Sequence, residues 1–215
     1  MKHVLAAVGL TLLFALSPLP SALSPFPLAL TIPRTLSAQV VDGPRFTSAS
    51  ELIRPVDFRE WVFVTSGLGM TYNTPATANP SPSFTNVYVN PSSHRAFMKT
   101  GQWPDQTIFV LEVRASASEG SINKGGSYQT GLVAIEAEVK DERFPGKWAF
   151  FAFGRTAEMK DRAEVLPATA SCYACHSANG AVDNTFVQFY PTLMEVARRM
   201  GTVRPTFVDT PVPSH

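Results

Sequence analysis

The chain has two cysteines, and both lie in the stretch Ser171-Cys172-Tyr173-Ala174-Cys175-His176-Ser177. Cys172, Cys175 and His176 form a CxxCH, the attachment signature of c-type haem. The spacing carries the chemistry. Two thiols one helical turn apart can each form a thioether to a haem vinyl group while the adjacent imidazole reaches the iron, so one short segment fixes both the rim and the centre of the porphyrin. The position of the motif constrains the architecture further. A small all-helical electron carrier has its CxxCH near the mature N-terminus and takes a methionine ligand from further along. Here the motif comes late, after a long stretch patterned as strands.

Three other uses of such a pair are weaker. A redox CxxC belongs near a βαβ pattern of the thioredoxin type, and the flanks show none. A structural zinc site needs four ligands, and outside the motif only His94 and His215 remain as imidazoles of the mature chain. A disulfide across two intervening residues does little to stabilise a chain of this size. The reading is one covalently bound haem c, with thioethers at Cys172 and Cys175 and with His176 on the iron.

Charge says nothing about the partner. The 215 residues carry 18 Lys and Arg against 17 Asp and Glu, a formal net charge of +1, so no electrostatic case exists for nucleic acid or an anionic membrane surface. With 45% hydrophobic and 11% aromatic residues, a well-filled single core is feasible. Met1-Lys2-His3 followed by the apolar run Val4 to Leu16 reads as the start of a secretory signal, with cleavage expected after Ala38. Prolines at 18 and 20 make the run a poor continuous spanning helix, an uncleaved anchor being the alternative. The organisation expected is a signal peptide over 1–38, a linker over 39–45, one haem domain over 46–203 and a flexible tail over 204–215. Export agrees with c-type haem, which is joined to the apoprotein on the outer side of the bacterial cytoplasmic membrane. A periplasmic or otherwise extracytoplasmic location follows as an expectation.

Along the chain, Arg54 to Gly67 fits a helical turn running into a strand, with Phe58 and Trp61 as core anchors, and Tyr72 to Ser83 reads as a surface loop. Phe84 to Val89 alternates and is rich in β-formers. Asn90-Pro91 opens a helix, with asparagine as the cap, and Gly101 stops it. Thr107 to Arg114 is a strand, and Ser116 to Ser127 a Gly/Ser-rich loop without Walker or dinucleotide spacing. Gly131 to Lys140 alternates, placing Leu132, Ala134, Glu136 and Glu138 on one face. Lys147 to Phe153 reads as a strand buried on both faces. About five strands thus precede the motif. Pro191 opens a last helix closed by Gly201, and Thr202 to His215 is expected to fray.

The pattern as a whole resembles the cytochrome P-460 family, which also contains the cytochromes c′-β. The resemblance rests on Phe58-Arg59-Glu60-Trp61-Val62, Val87-Tyr88-Val89-Asn90, Lys99-Thr100-Gly101-Gln102-Trp103-Pro104-Asp105, Glu136-Ala137-Glu138-Val139-Lys140-Asp141, Gly146-Lys147-Trp148-Ala149-Phe150-Phe151 and the late CxxCH. It implies an α+β fold, a predominantly antiparallel β-sheet with flanking helices, commonly a homodimer. It also implies a five-coordinate haem, open on its distal side to hydroxylamine, nitric oxide or carbon monoxide, where a second strong protein ligand would favour electron transfer.

The family divides on a lysine. Its hydroxylamine-oxidising members carry a bond from a lysine to the porphyrin edge, and its c′-β members lack that bond and cap the distal face with aromatic residues. Lys99 is the positional match, Lys124 a weaker one, although a cation in the last turn of a helix is stabilised by the helix dipole in any case. For the acid that would relay protons, Glu136 is the first candidate and Glu112 the second, against the alternative that Glu136 meets solvent beside a surface cation. Three functions stay open: a haem oxidoreductase for a small nitrogen species, a c′-β-like gas binder without turnover, and an electron carrier with Met194 or Met200 as distal ligand. The first and third also need an electron-transfer partner.

Overall fold

The computed structural model describes residues 42–71 and 82–208. The expected signal peptide, most of the Tyr72–Ser83 loop and the last residues of the tail lie outside the described residues.

A short strand, β1 (Leu52–Ile53), precedes a 3-10 turn at Phe58–Glu60 and then β2 (Val62–Leu68). After them come β3 (Phe84–Val89), helix α1 (Pro91–Thr100), β4 (Thr107–Ala117), β5 (Tyr128–Lys140) and β6 (Trp148–Arg155). A second short strand, β7 (Arg162–Ala163), leads to α2 (Ser171–Asn179) and α3 (Pro191–Met200). The five long strands form one sheet in the order β2-β3-β4-β5-β6, every neighbour antiparallel, and β1 pairs with β7 in a separate two-stranded ribbon. The architecture is therefore α+β and mostly antiparallel.

Each face of the sheet has its own core, as the period of two in a strand requires. On one face Val89, Phe109 and Trp148 pack with Phe97 and Trp103 and with Leu193, Met194 and Val196 of α3. On the other, Ile108, Val110, Ile135, Ala137, Val139 and Phe151 are covered by the N-terminal segment through Leu52 and Phe58. The first face carries the CxxCH helix.

Both longer terminal-end signals hold for α1 and α3. Gly101 takes φ 70°, the left-handed region, and its N–H caps Phe97 O at 2.7 Å. A side chain there would also collide with Thr202, whose Oγ1 sits 2.7 Å from the position of an added Cβ. The cap expected of Asn90 is not made. Its side chain instead joins helix to sheet, accepting from Ile108 N at 3.0 Å, while Asp42 accepts from Ser92 N at 2.7 Å and does the capping.

Three further expectations change. The alternation in β5 breaks at a bulge: Val113 pairs with Ala134 but Arg114 pairs with Leu132, so Val133 is the extra residue and Leu132 turns to the opposite core. Ala134, Glu136 and Glu138 keep the expected common face. Strand β4 runs on through Ala117, shortening the Gly/Ser loop from its start. The fray expected from Thr202 does not begin there, because Val203 and Phe207 pack on the first core and Arg204 N bonds Ala181 O at 2.8 Å.

Candidate haem site

The site is built by α2 and the turn that follows it. The helix lies on the surface, with no residue fully buried and with Cys172, Cys175 and His176 at intermediate exposure. Tyr173 anchors it, its ring edge-on to Phe150 of β6 at 4.8 Å and its hydroxyl donating to Leu166 O at 3.0 Å. The free carbonyls at its C-terminus are satisfied from outside: Gln188 Nε2 donates to Asn179 O, and the Arg204 guanidinium donates to Ser177 O and Ala178 O. A cation at that end also complements the helix dipole.

Gly180 then lets the chain fold back tightly. An added Cβ there would lie 2.8 Å from Thr185 N and 2.9 Å from the Asn184 carbonyl carbon. The turn over residues 182–185 is pinned from two sides. Trp103 Nε1 donates to Thr185 Oγ1 at 2.9 Å, and Lys140 Nζ donates to Asp183 Oδ2 at 2.6 Å and to Trp103 O at 2.9 Å. The result is that Asn184 O stands 2.8 Å from Nδ1 of His176.

His176 is gripped on one edge, and among the described residues no hydrogen bond reaches the other. Besides Asn184 O, its Nδ1 faces Glu138 Oε2 at 3.0 Å. Phe150 and Phe186 flank the ring with centroids 4.7 and 4.2 Å away. With Nδ1–H donated, the tautomer leaves the Nε2 lone pair available to a metal. Burial opposes protonation of His176, but the charge and hydrogen bond of Glu138, the Asn184 carbonyl and the Glu136 charge outweigh it and raise the pKa.

Both thiols are free. Burial pushes the Cys172 thiol above its ordinary pKa; backbone hydrogen bonds pull the other way, and the Glu136 and Glu138 charges add to the rise. A redox dithiol needs the opposite, a thiolate stabilised at neutral pH. Two free thiols one turn apart and an imidazole with its Nε2 without a hydrogen bond among the described residues fit a c-type haem. Cys172, Cys175 and His176 would hold it.

Glu136 stands two residues before Glu138 on the same face of β5, paired in register with Ala152. It is open to solvent on one side, yet enough protein surrounds the carboxyl that desolvation raises its pKa against the pull of Arg155 and His176. Glu112 lies on the opposite face. It is 2% exposed and accepts from Arg59 Nε at 2.9 Å, Arg114 at 2.9 Å and Asn86 at 3.1 Å, which corrects its candidacy as a proton relay. Burial alone would raise its pKa, and those hydrogen bonds reverse the direction.

The remaining candidates are scattered. Lys99 is exposed in the last turn of α1, a helix packed mainly on α3, and Lys124 sits exposed in the loop after β4. Met194 is 4% exposed within the first core, Met200 is 41% exposed at the end of α3, and His94 is half-buried on α1. Glu138, Asn184, Phe150 and Phe186 escaped the sequence reading. The one available signal was the E-x-E repeat on a common strand face; Asn184 and Phe186 reach His176 through the turn after α2, and Phe150 reaches it from β6.

Residues 55–187 match the family model described as Cytochrome P460, a span that contains Lys99, Glu136 and the CxxCH. No curated protein matches the chain.

Proposed function

This chain belongs to the cytochrome P460 family of haem-binding c-type cytochromes, and we propose that it is a mono-haem protein with an open distal site that binds and oxidises small nitrogen species such as hydroxylamine and nitric oxide. The observation that carries the reading is the imidazole of His176, committed through Nδ1 to Asn184 and Glu138 with Nε2 left for iron, beside a carboxyl at Glu136 whose pKa is raised. The haem supplies the iron at which such a ligand coordinates and from which electrons pass to a partner. Cys172 and Cys175 hold its rim, and the aromatic rings of Phe150 and Phe186 keep water from the proximal imidazole. Glu136, with a carboxyl pKa displaced toward neutrality, accepts a proton from the substrate and passes it to the solvent on its open side. Met194, given to the core, supports an iron with one protein ligand.

The pattern of residues 1–38 and the site of c-type haem attachment support an exported, periplasmic or otherwise extracytoplasmic protein, and the family supports a homodimer. One measurement tests the core of the reading. The intact mass of the purified protein gains one haem that acid-acetone does not extract, and the reduced protein gives a high-spin spectrum that changes on adding nitric oxide or carbon monoxide. A low-spin reduced spectrum that changes on Met194→Ala would replace this reading with an electron carrier.

A second reading has its own observation. Lys99 projects from a helix packed mainly on α3, which favours a c′-β-like gas binder without a lysine bond to the macrocycle. A haem-peptide digest separates the two. A second peptide containing Lys99 supports hydroxylamine oxidation, and the Cys172–His176 peptide alone supports the gas binder.

A further inference from the structure

We infer that Glu138 is a positioning residue that holds the imidazole of His176 through Nδ1 and gives it anionic character, thereby setting the reduction potential of the bound haem low. The inference rests on the reading of His176 as the iron ligand.

Four features of the site carry it. Glu138 Oε2 lies 3.0 Å from Nδ1, and the two side chains are only 12% and 18% exposed, so the interaction is weakly screened by water. Orientation of the ring does not require it, because Asn184 O already accepts from the same nitrogen at 2.8 Å. What the carboxylate adds is charge. Its other oxygen, Oε1, is buried without a hydrogen-bond partner among the described residues, an arrangement that costs stability and that a Met or Leu at this position would avoid. Lys140, the cation two residues along the same strand face, is turned to Asp183 and Trp103 O, so it does not neutralise Glu138. A carboxylate on the far nitrogen of a metal-bound histidine raises the basicity of the ligand, and a more basic axial ligand favours the ferric state.

The test compares wild-type holoprotein with Glu138→Gln, Glu138→Asp and Glu138→Leu by spectroelectrochemistry and by the iron–histidine stretch in the resonance Raman spectrum of the reduced form. Glu138→Gln keeps the size and an acceptor oxygen but loses the charge. It is expected to shift the reduction equilibrium at least tenfold toward ferrous, about 59 mV for one electron, and to lower the iron–histidine frequency. Glu138→Leu shifts it at least as far. Glu138→Asp keeps the charge but withdraws it by one methylene and gives a smaller shift, and it serves as the readout where the Gln protein does not take up haem. Wild-type potential and frequency in the Gln protein, or in the Asp protein where the Gln protein does not take up haem, would overturn the inference. Failure of the underlying reading looks different: His176→Gly with covalent haem would then keep its iron–histidine band and show no response to added imidazole.

Discussion

Lys140 reaches across to Asp183, Nζ to Oδ2 at 2.6 Å, and so joins the last residue of the inner strand β5 to the turn that presents Asn184 to His176. The same ammonium donates to Trp103 O, and the Trp103 indole donates to Thr185 on the other side of the turn. Strand, loop and turn thus share one polar clasp, partly shielded from solvent.

Breaking the clasp loosens the site before it unfolds the sheet. Lys140→Met is expected to cost about 1–2 kcal/mol in urea denaturation and to speed hydrogen exchange at the Thr185 amide more than at β4 amides. Asp183→Ala does the same, and the double variant adds less than the sum of the two. Strict additivity would show that the two groups do not act on each other.

Gly180 tests the tightness of the turn. An alanine Cβ meets backbone atoms of Asn184 and Thr185, not a side chain that can swing aside. Gly180→Ala is expected to lower stability by about 1–3 kcal/mol and to weaken the hold on His176, seen as a broadened iron–histidine band. Gly131→Ala, where nothing lies within 4 Å of the added methyl, leaves both unchanged.

The two glutamates on opposite faces of the sheet separate stability from chemistry. Glu112→Ala strips a buried carboxylate from Arg59, Arg114 and Asn86 and is expected to cost about 3 kcal/mol while leaving ligand binding intact. Glu136→Gln is expected to leave stability within about 0.5 kcal/mol and to slow any hydroxylamine oxidation about a hundredfold or more. Equal activity in Glu136→Gln would remove it from the proton path.

Acid stability is set in part by Asp141. The Arg143 guanidinium beside it holds its carboxyl at a pKa of about 2, well below the ordinary 3.8, against the opposing effect of burial. A depressed pKa means that the stabilisation is fully present above about pH 4 and fades as the pH falls through about 2. Its size is on the order of 1–2 kcal/mol, reduced by the exposure of Arg143. Asp141→Asn should therefore destabilise the protein at pH 7 by about this amount, with the gap to wild type closing in urea titrations toward pH 2.

The elements that announce themselves locally are legible in the sequence. Asn90-Pro91 to Gly101 and Pro191 to Gly201 bracket the two longer helices because proline presets φ at a helix start and glycine admits the left-handed φ that ends one. The five long strands were legible too, β3 and β5 from alternation and β6 from a dense apolar run. Alternation also put Glu136 and Glu138 on one face, but it could not see that a bulge at Val133 turns Leu132 away, since an inserted residue leaves no local mark. Nor could it place Glu112 among arginines contributed by Phe58–Glu60 and by β4 itself. The attachment residues were legible as a motif; the groups that tune His176 were not. Glu138, Asn184 and Phe186 reach it only through tertiary folding, and a carboxylate in a strand reads the same whether it meets water or an imidazole.

The order of strands has a consequence for assembly. Strands β2 to β6 lie side by side in the order in which the chain runs, so each pairs with its predecessor without waiting for distant sequence. The scaffold is finished at Arg155, before the segment with the thiols begins. Trp103 and Lys140 meet partners 82 and 43 residues further on, so the ligand turn docks onto a surface that already exists. Making the site is thereby a late and separable event, and a chain whose turn has opened still presents both thiols on an otherwise complete sheet.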